Sequence, residues 1–163
     1  MTIAEELLAA NAEYAASFDS GALTKEPARH VAVVACMDAR LDVFAMLGLD
    51  LGECHVIRNA GGAVTDDAIR SITVSQRFLN TTEIVLVHHT DCGMLTFPEE
   101  RVKQEIQAET GVRPAFSFDG FSDAEADVRQ SMARIEHSPF LLHRSVTGFV
   151  YDVDTGRLNL VEP

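Results

Sequence analysis

The chain has 163 residues, 47% of them apolar, and a formal net charge of −12. This length suits one domain with a sizeable buried core, and the acidic balance excludes the basic surface on which duplex nucleic acid binds. The longest apolar runs, near Val31–Cys36 and Ile84–Val87, are far shorter than the roughly 20 residues of a membrane-spanning helix. No secretory signal is recognisable, so the sequence predicts a cytoplasmic protein without nucleic-acid or membrane partners.

The first part of the chain predicts a helix and then two strands separated by a short helix. Thr2 and Glu5 form a capping-box pattern at the start of a helix that runs to about Phe18. Val31–Cys36 is apolar throughout, which is typical of a central parallel strand covered on both faces. Leu41–Leu47 predicts a short helix. The next segment predicts a second strand and a tight turn, over Cys54–Arg58 and Asn59–Gly62.

The rest of the chain continues this alternation. Thr65–Leu79 predicts a helix with an acidic first turn, and Glu83–His88 predicts a third strand that is apolar on both faces. Two helices and a closing strand pair are predicted over Glu99–Thr110, Asp123–Glu136, Val146–Val153 and Arg157–Val161. Strands that alternate with helices imply right-handed βαβ units. We therefore predict an α/β fold, a central mostly parallel β-sheet flanked by helices, in a single domain over residues 1–163.

The three cysteines form an odd and low count, which argues against a disulfide framework. Cys36 ends the first predicted strand, and His89 and Cys92 follow the third. Because the carboxyl ends of parallel strands meet at one edge of a sheet, these three residues are expected to converge. Two thiolates and one imidazole suit zinc and leave a fourth position open, as a catalytic site requires. Cys54 begins the second strand, so it is expected at the opposite edge.

Two short motifs surround these residues, C-x-D-x-R over residues 36–40 and H-x-x-C over residues 89–92. Each motif alone is weak evidence of function, but their occurrence at two predicted strand ends is specific. The turn after the second strand adds an R-N-A-G-G sequence over residues 58–62. From Val31 to Gly93 the pattern resembles the β-class carbonic anhydrases.

The resemblance implies a lyase that hydrates CO2 reversibly to bicarbonate and a proton through zinc-bound hydroxide. It implies one Zn²⁺ per chain, held by Cys36, His89 and Cys92. It also implies that Asp38 and Arg40 form a catalytic dyad and that Asp38 becomes a fourth metal ligand in a closed state. Finally, it implies self-association as a homodimer or a dimer of dimers.

The residue chemistry supports these roles independently. Asp38, two residues beyond Cys36, can reach the open metal position, and Arg40 can hold its carboxylate with a planar bidentate fork. Gly61 is predicted to permit a tight turn and, as a weaker expectation, to offer its backbone N–H to the substrate. Thr90 and Asp91 are expected to serve as turn or supporting residues.

The residue that carries the released proton away is left open by the sequence. His55, His88 and His143 are the candidates. His88 adjoins a predicted ligand, but strand alternation points it away from His89, so a structural role is expected.

Three other functions compete with this interpretation of the sequence. Proteins that resemble this fold hydrolyse carbon disulfide or carbonyl sulfide with the same ligands, and a non-catalytic zinc-stabilised or redox-sensing protein would also use them. A cysteine-based phosphatase is excluded because the chain lacks a C-x5-R loop. Ala39 and Met94 depart from the usual family pattern, which leaves the substrate pocket open to question, and the absence of Trp argues against bicarbonate regulation.

Overall fold

A computed structural model describes residues 1–21 and 23–163. Five strands form one sheet in the order β2-β1-β3-β4-β5, in which β1 runs parallel to β2 and β3, and β3 runs parallel to β4. Only the last pair, β4 with β5, is antiparallel. The strands are β1 Val31–Cys36, β2 Cys54–Asn59, β3 Glu83–His89, β4 Ser145–Tyr151 and β5 Leu158–Val161. The predicted mostly parallel sheet is therefore confirmed.

Helices connect and cover these strands. They are α1 Ile3–Ser17, α2 Val43–Leu47, α3 Asp66–Leu79, α4 Glu99–Thr110 and α5 Ala124–Glu136, with a 3-10 turn at Ala60–Gly62. Each element lies within a few residues of its predicted position. The bounds differ slightly because capping side chains fix them: Asp42 accepts the backbone N–H of Ala45, so α2 begins at Val43.

Both faces of the sheet are buried, as the continuous apolar strands require. Val33 and Val34 of β1 are fully buried on opposite faces, and each belongs to a different apolar cluster. The larger cluster packs β1, β3 and β4 against α3 and α5, and it contains Ile72, Leu86, Val128 and Ile135. Each fully buried aliphatic side chain stabilises the fold by about 1.5–3 kcal/mol. This rigid core fixes where the carboxyl ends of the strands lie.

Helix α1 stands apart from this core. The predicted capping box is confirmed, since Thr2 accepts the backbone N–H of Glu5 and the Glu5 carboxylate accepts that of Thr2. No residue of α1 is buried, although Ile3, Leu7 and Tyr14 are large apolar side chains. The helix therefore lacks a packing partner within the described chain. Within residues 1–21 and 23–163, we find no helix with the length and hydrophobicity that crossing a membrane requires.

Candidate metal centre

The residues predicted to bind a metal converge at the carboxyl edge of the sheet. Cys36 is the last residue of β1, and His89 is the last residue of β3, the neighbouring strand. Cys92 follows three residues later, and its Sγ lies 4.0 Å from the Sγ of Cys36. All three side chains are buried, and their ligand atoms lie within 4.8 Å of one another. Cys54 is the first residue of β2, so it lies at the amino ends of the parallel strands, opposite the three predicted ligands, as expected.

The orientation of His89 prepares one nitrogen for coordination. Its Nδ1–H donates to the backbone carbonyl of Thr90 at 2.8 Å, which leaves the lone pair on Nε2. Nε2 is fully buried and has no hydrogen-bond partner among the described residues. An unpartnered buried nitrogen is costly unless another group satisfies it. A metal ion between Nε2 and the two sulfur atoms would do so.

Zinc fits this donor set. Tetrahedral coordination with Zn–S distances of about 2.3 Å places two thiolates roughly 3.8 Å apart. The separation of 4.0 Å between the Cys36 and Cys92 sulfur atoms is close to this value. Three protein ligands leave one position for water or substrate, which is typical of catalytic rather than structural zinc.

Burial and neighbouring groups shift the pKa values of the three predicted ligands in different directions. Burial raises the pKa of Cys36, but the adjacent His89 imidazole and nearby backbone N–H groups outweigh it and lower the pKa to about 7. Burial lowers the pKa of His89, whereas the Cys36 sulfur and the Thr90 carbonyl raise it, and the net shift is upward. Burial raises the pKa of Cys92 to about 11. A cation must displace the protons of these groups, so its affinity falls as the pH decreases.

Asp38 and Arg40 lie beside the three residues predicted to bind the metal. The Arg40 Nε and backbone N–H donate to Asp38 Oδ1, each at 2.9 Å, and Arg40 Nη2 donates to Oδ2 at 2.8 Å. These hydrogen bonds hold the pKa of the Asp38 carboxyl well below its usual range. Asp38 Oδ2 is 3.8 Å from His89 Nε2. The ionised Asp38 carboxylate thus lies next to His89, and its hydrogen bonds to the Arg40 guanidinium hold it there.

A family model described as carbonic anhydrase matches residues 31–158, which include all of these side chains. The chain belongs to the carbonic anhydrase family. It is 57% identical to Beta-carbonic anhydrase 1 of Mycobacterium tuberculosis, with 100% of both chains covered. It is 36% identical to a carbon disulfide hydrolase of an Acidianus strain, over 80% of this chain and 76% of that protein.

A solved structure gives the same result for the fold. The crystal structure of a carbonic anhydrase from Streptococcus mutans superposes with a TM-score of 0.91 at 40% identity and covers 99% of each chain. The predicted resemblance to β-class carbonic anhydrases is confirmed. The chain is an enzyme of this class, and the reversible hydration of CO2 is its family's reaction.

In this carbonic anhydrase, two further residues fix the site in ways that the sequence did not reveal. Arg58 donates to the backbone carbonyls of Cys36, at 2.9 Å, and Asp38, at 2.7 Å, so it holds the loop that carries both. Asp91, expected only as a turn or supporting residue, contacts Arg40 through its carboxylate. Arg58 belongs to the R-N-A-G-G sequence, but it donates to backbone carbonyls. Every residue has such a carbonyl, so the sequence does not indicate which ones Arg58 contacts.

The candidate proton carriers contact other groups. His88 is fully buried and bonds Asp127 of α5 at 2.7 Å, pointing away from His89 as strand alternation predicts. His55 bonds Ser75 and the backbone carbonyl of Lys25. His143 is exposed in the segment before β4. These contacts do not connect the three histidines to the predicted metal ligands.

The two glycines of the turn after β2 differ in their surroundings. Gly61 has φ +77° and faces Met94 and Phe121, which a Cβ would meet at 3.3 and 3.4 Å. Gly62 has φ +73°, and a Cβ there would lie 3.0 Å from the backbone nitrogen of Cys36 and 3.1 Å from the carbonyl oxygen of Val87. Gly62 therefore lets the turn approach β1 and β3, the two strands that end in the predicted ligands Cys36 and His89.

We expect Gly62→Ala to destabilise the protein by about 2–4 kcal/mol, because the left-handed backbone and the contact with rigid strands both oppose a Cβ. Chemical denaturation of the zinc-loaded protein measures this effect. Gly48→Ala is the matched control, because Gly48 has φ +64° and a Cβ there would meet no described atom within 4 Å. It should cost only about 1 kcal/mol. Equal losses in the two variants would contradict the importance of the close approach.

Proposed function

We propose that this carbonic anhydrase holds one zinc ion per chain through Cys36, His89 and Cys92 and hydrates CO2 to bicarbonate at that site. The observation that carries the proposal is the placement of an ionised carboxylate beside the buried ligand set. Asp38 Oδ2 lies 3.8 Å from His89 Nε2 and is held there by Arg40. A site that only stabilised the fold would close its metal shell with a fourth protein ligand.

The metal and the protein contribute different parts of the chemistry. When bound, zinc acidifies water and so supplies a nucleophile, but two thiolates offset its charge and weaken this effect compared with three neutral imidazoles. The proposed role of Asp38 is to accept a hydrogen bond from the nucleophile and to aim its lone pair at CO2. Arg40 keeps the carboxylate ionised and correctly turned. If that pairing breaks, Asp38 is free to become the fourth ligand and close the site.

Gly61 is proposed to contribute to substrate binding through its backbone N–H. Its turn lies against Met94 and Phe121, which belong with Cys36 and Cys92 to one buried apolar cluster. An apolar wall beside the open metal position suits a small uncharged substrate such as CO2. Met94 is one of the two residues that depart from the usual family pattern, so it is expected to shape this wall.

Stopped-flow CO2 hydration on metal-quantified protein tests the proposed function. Activity should scale with zinc up to one ion per chain and should rise from about pH 6.5 to about pH 9, because the thiolate ligands make the nucleophile available at higher pH. Sulfide release from carbon disulfide and carbonyl sulfide is measured in parallel, since a 36% identical relative is a carbon disulfide hydrolase. Zinc-loaded protein that releases sulfide but does not hydrate CO2 would contradict the proposed substrate.

We also propose that the chain forms a homodimer or a dimer of dimers. Helix α1 is exposed along its whole length, and three of its large apolar side chains, Ile3, Leu7 and Tyr14, lie on one face of the helix. Strand β2 forms an open edge of the sheet, and edge strands left unpaired are prone to association. A second copy of the chain would cover both surfaces.

Leu7→Lys is expected to shift the protein toward monomers, because it places a charge in the apolar face of α1. Leu7 is 63% exposed in the single chain, so the substitution should not disturb the fold of one subunit. Sedimentation velocity at micromolar concentration measures the change. Ala9→Lys introduces the same charge on the face of α1 that carries Glu6 and Glu13, away from Leu7, and should leave the assembly unchanged. A wild-type protein that sediments as a monomer would contradict the proposed dimer.

Two further proposals concern the whole chain. Residues 1–163 are proposed to form one catalytic domain, which the single five-stranded sheet supports. A cytoplasmic location is proposed because the zinc ligands include two thiolates, and a reducing compartment keeps such cysteines free of disulfides.

A further inference from the structure

We propose that Asp91 is a positioning residue of the catalytic dyad, which it serves by fixing the plane of the Arg40 guanidinium from the side opposite Asp38. This inference rests on the proposed role of Asp38 and Arg40. Asp91 stands between the metal ligands His89 and Cys92, and its side chain reaches back to the first motif.

The Arg40 guanidinium donates hydrogen bonds to two carboxylates, those of Asp38 and Asp91. One edge of Arg40, formed by Nε and Nη2, donates to the two oxygens of Asp38 at 2.9 and 2.8 Å. The other amino group, Nη1, donates to Asp91 Oδ2 at 2.8 Å. Arg40 Nη2 also donates to the backbone carbonyl of Asp91 at 3.0 Å. Each of the three guanidinium nitrogens is therefore engaged, and two separate loops hold the group.

The backbone at Asp91 is arranged for this contact. Asp91 has φ +52°, in the left-handed region that Asp and Asn tolerate better than most residues. This conformation accompanies a turn from which the carbonyl and the side chain of one residue both meet Arg40. The turn itself does not require a carboxylate at this position, so it does not explain why the Asp91 side chain bonds Arg40.

A role in positioning Arg40 explains the contact with Asp91 better than a contribution to the stability of the fold does. The side chains of Asp91 and Arg40 are 79% and 45% exposed, and ion pairs this exposed add little to the free energy of unfolding. The same exposure leaves Arg40 free to rotate about its long side chain unless a second anchor holds it. Because the guanidinium is planar and binds Asp38 in a bidentate manner, fixing its plane also fixes the Asp38 carboxylate. Asp38 Oδ2 then stays 3.8 Å from His89 Nε2 rather than moving into the donor set.

The test compares Asp91→Asn with wild type as zinc-loaded protein. Asn keeps the shape, the tolerated backbone conformation and the backbone contact, but removes the charge that anchors Nη1. We expect kcat/KM for CO2 hydration to fall by about 10-fold, with zinc content and Tm unchanged. We also expect the ¹⁵N Nε–Hε signal of Arg40 to shift or broaden. Asp91→Glu retains the charge but is longer and fits the left-handed backbone less well, so it should recover part of kcat/KM and of the Arg40 signal.

Glu105→Gln is the matched control. It removes a carboxylate that is 53% exposed and accepts from the Nε of Arg101 on α4 at 2.8 Å. It should move the Arg101 signal and leave the Arg40 signal and kcat/KM unchanged. This control separates the loss of one negative charge from the loss of the anchor on Arg40.

The inference fails if Asp91→Asn leaves kcat/KM unchanged or leaves the Arg40 signal unchanged. It also fails if the activity falls only in proportion to a lower zinc content or together with a lower Tm. If Asp91→Asn does not fold, Asp91→Glu decides, because a positioning role requires it to keep part of kcat/KM and of the Arg40 signal. Asp38→Asn distinguishes the two proposals. If it loses activity while Asp91→Asn does not, only the role of Asp91 fails, and if it stays active the proposed dyad fails as well.

Discussion

Cys36→Ser should purify with far less than one zinc ion per chain and should lose CO2 hydration activity by on the order of 10³-fold or more. Serine has nearly the shape of cysteine, but its hydroxyl remains protonated and is a poor zinc ligand compared with a thiolate. Of the proposed ligands only His89 and Cys92 would then remain, and Nε2 of His89, which has no hydrogen-bond partner among the described residues, would stay unsatisfied. Metal analysis of the purified protein and stopped-flow kinetics on the same sample measure the two losses together.

Cys54→Ser controls for the general cost of replacing a buried cysteine. Cys54 is 8% exposed and Cys36 is 4% exposed, so the two substitutions remove similar burial. Cys54 lies at the other end of the sheet, outside the metal-binding group. Its serine variant should keep one zinc ion and near wild-type kcat/KM, with at most a modest loss of stability. A zinc-loaded and active Cys36→Ser protein would remove Cys36 from the proposed ligand set.

The sequence was sufficient for the fold because its strongest signals are local. Val31–Cys36 is apolar on both faces, which is typical of a strand covered by helices on both sides, and the structure places it in the middle of the sheet. The convergence of Cys36 with His89 also followed from topology, because neighbouring parallel strands end at the same edge. Element ends moved by one or two residues where a side-chain cap fixes them, as Asp42 does for α2.

The sequence was insufficient where a contact joins loops that are distant in the chain. The spacing of Asp38 and Arg40 predicts their pairing, but nothing in it shows that Arg40 also meets Asp91, 51 residues later. Arg58 donates to backbone carbonyls, which every residue carries, so its targets leave no pattern. Likewise, a run of two glycines predicts a tight turn but not that Gly62, rather than Gly61, lies against the ligand-bearing strands. These features depend on tertiary geometry rather than on residue type.

Asp38→Asn should retain one zinc ion per chain and lose about 10²-fold or more of kcat/KM for CO2 hydration. The amide keeps the size of the carboxylate but cannot accept on both oxygen positions, so its NH2 group would face either Nη2 or Nε of Arg40 in place of an acceptor. The dyad then loses both its charge and its bidentate geometry. Because Cys36, His89 and Cys92 are unchanged, zinc binding should be retained. This variant therefore separates zinc binding from CO2 hydration activity.

Asp42→Asn is the matched control, since it removes the same charge four residues later in an exposed position. Asp42 caps α2 by accepting the backbone N–H of Ala45, and Asn caps helices about as well as Asp. Its kcat/KM and zinc content should match those of wild type. If Asp38→Asn kept full activity, the carboxylate held beside His89 would be only a salt bridge at the end of a strand. If it lost zinc together with activity, Asp38 would serve the metal itself rather than the orientation of the nucleophile.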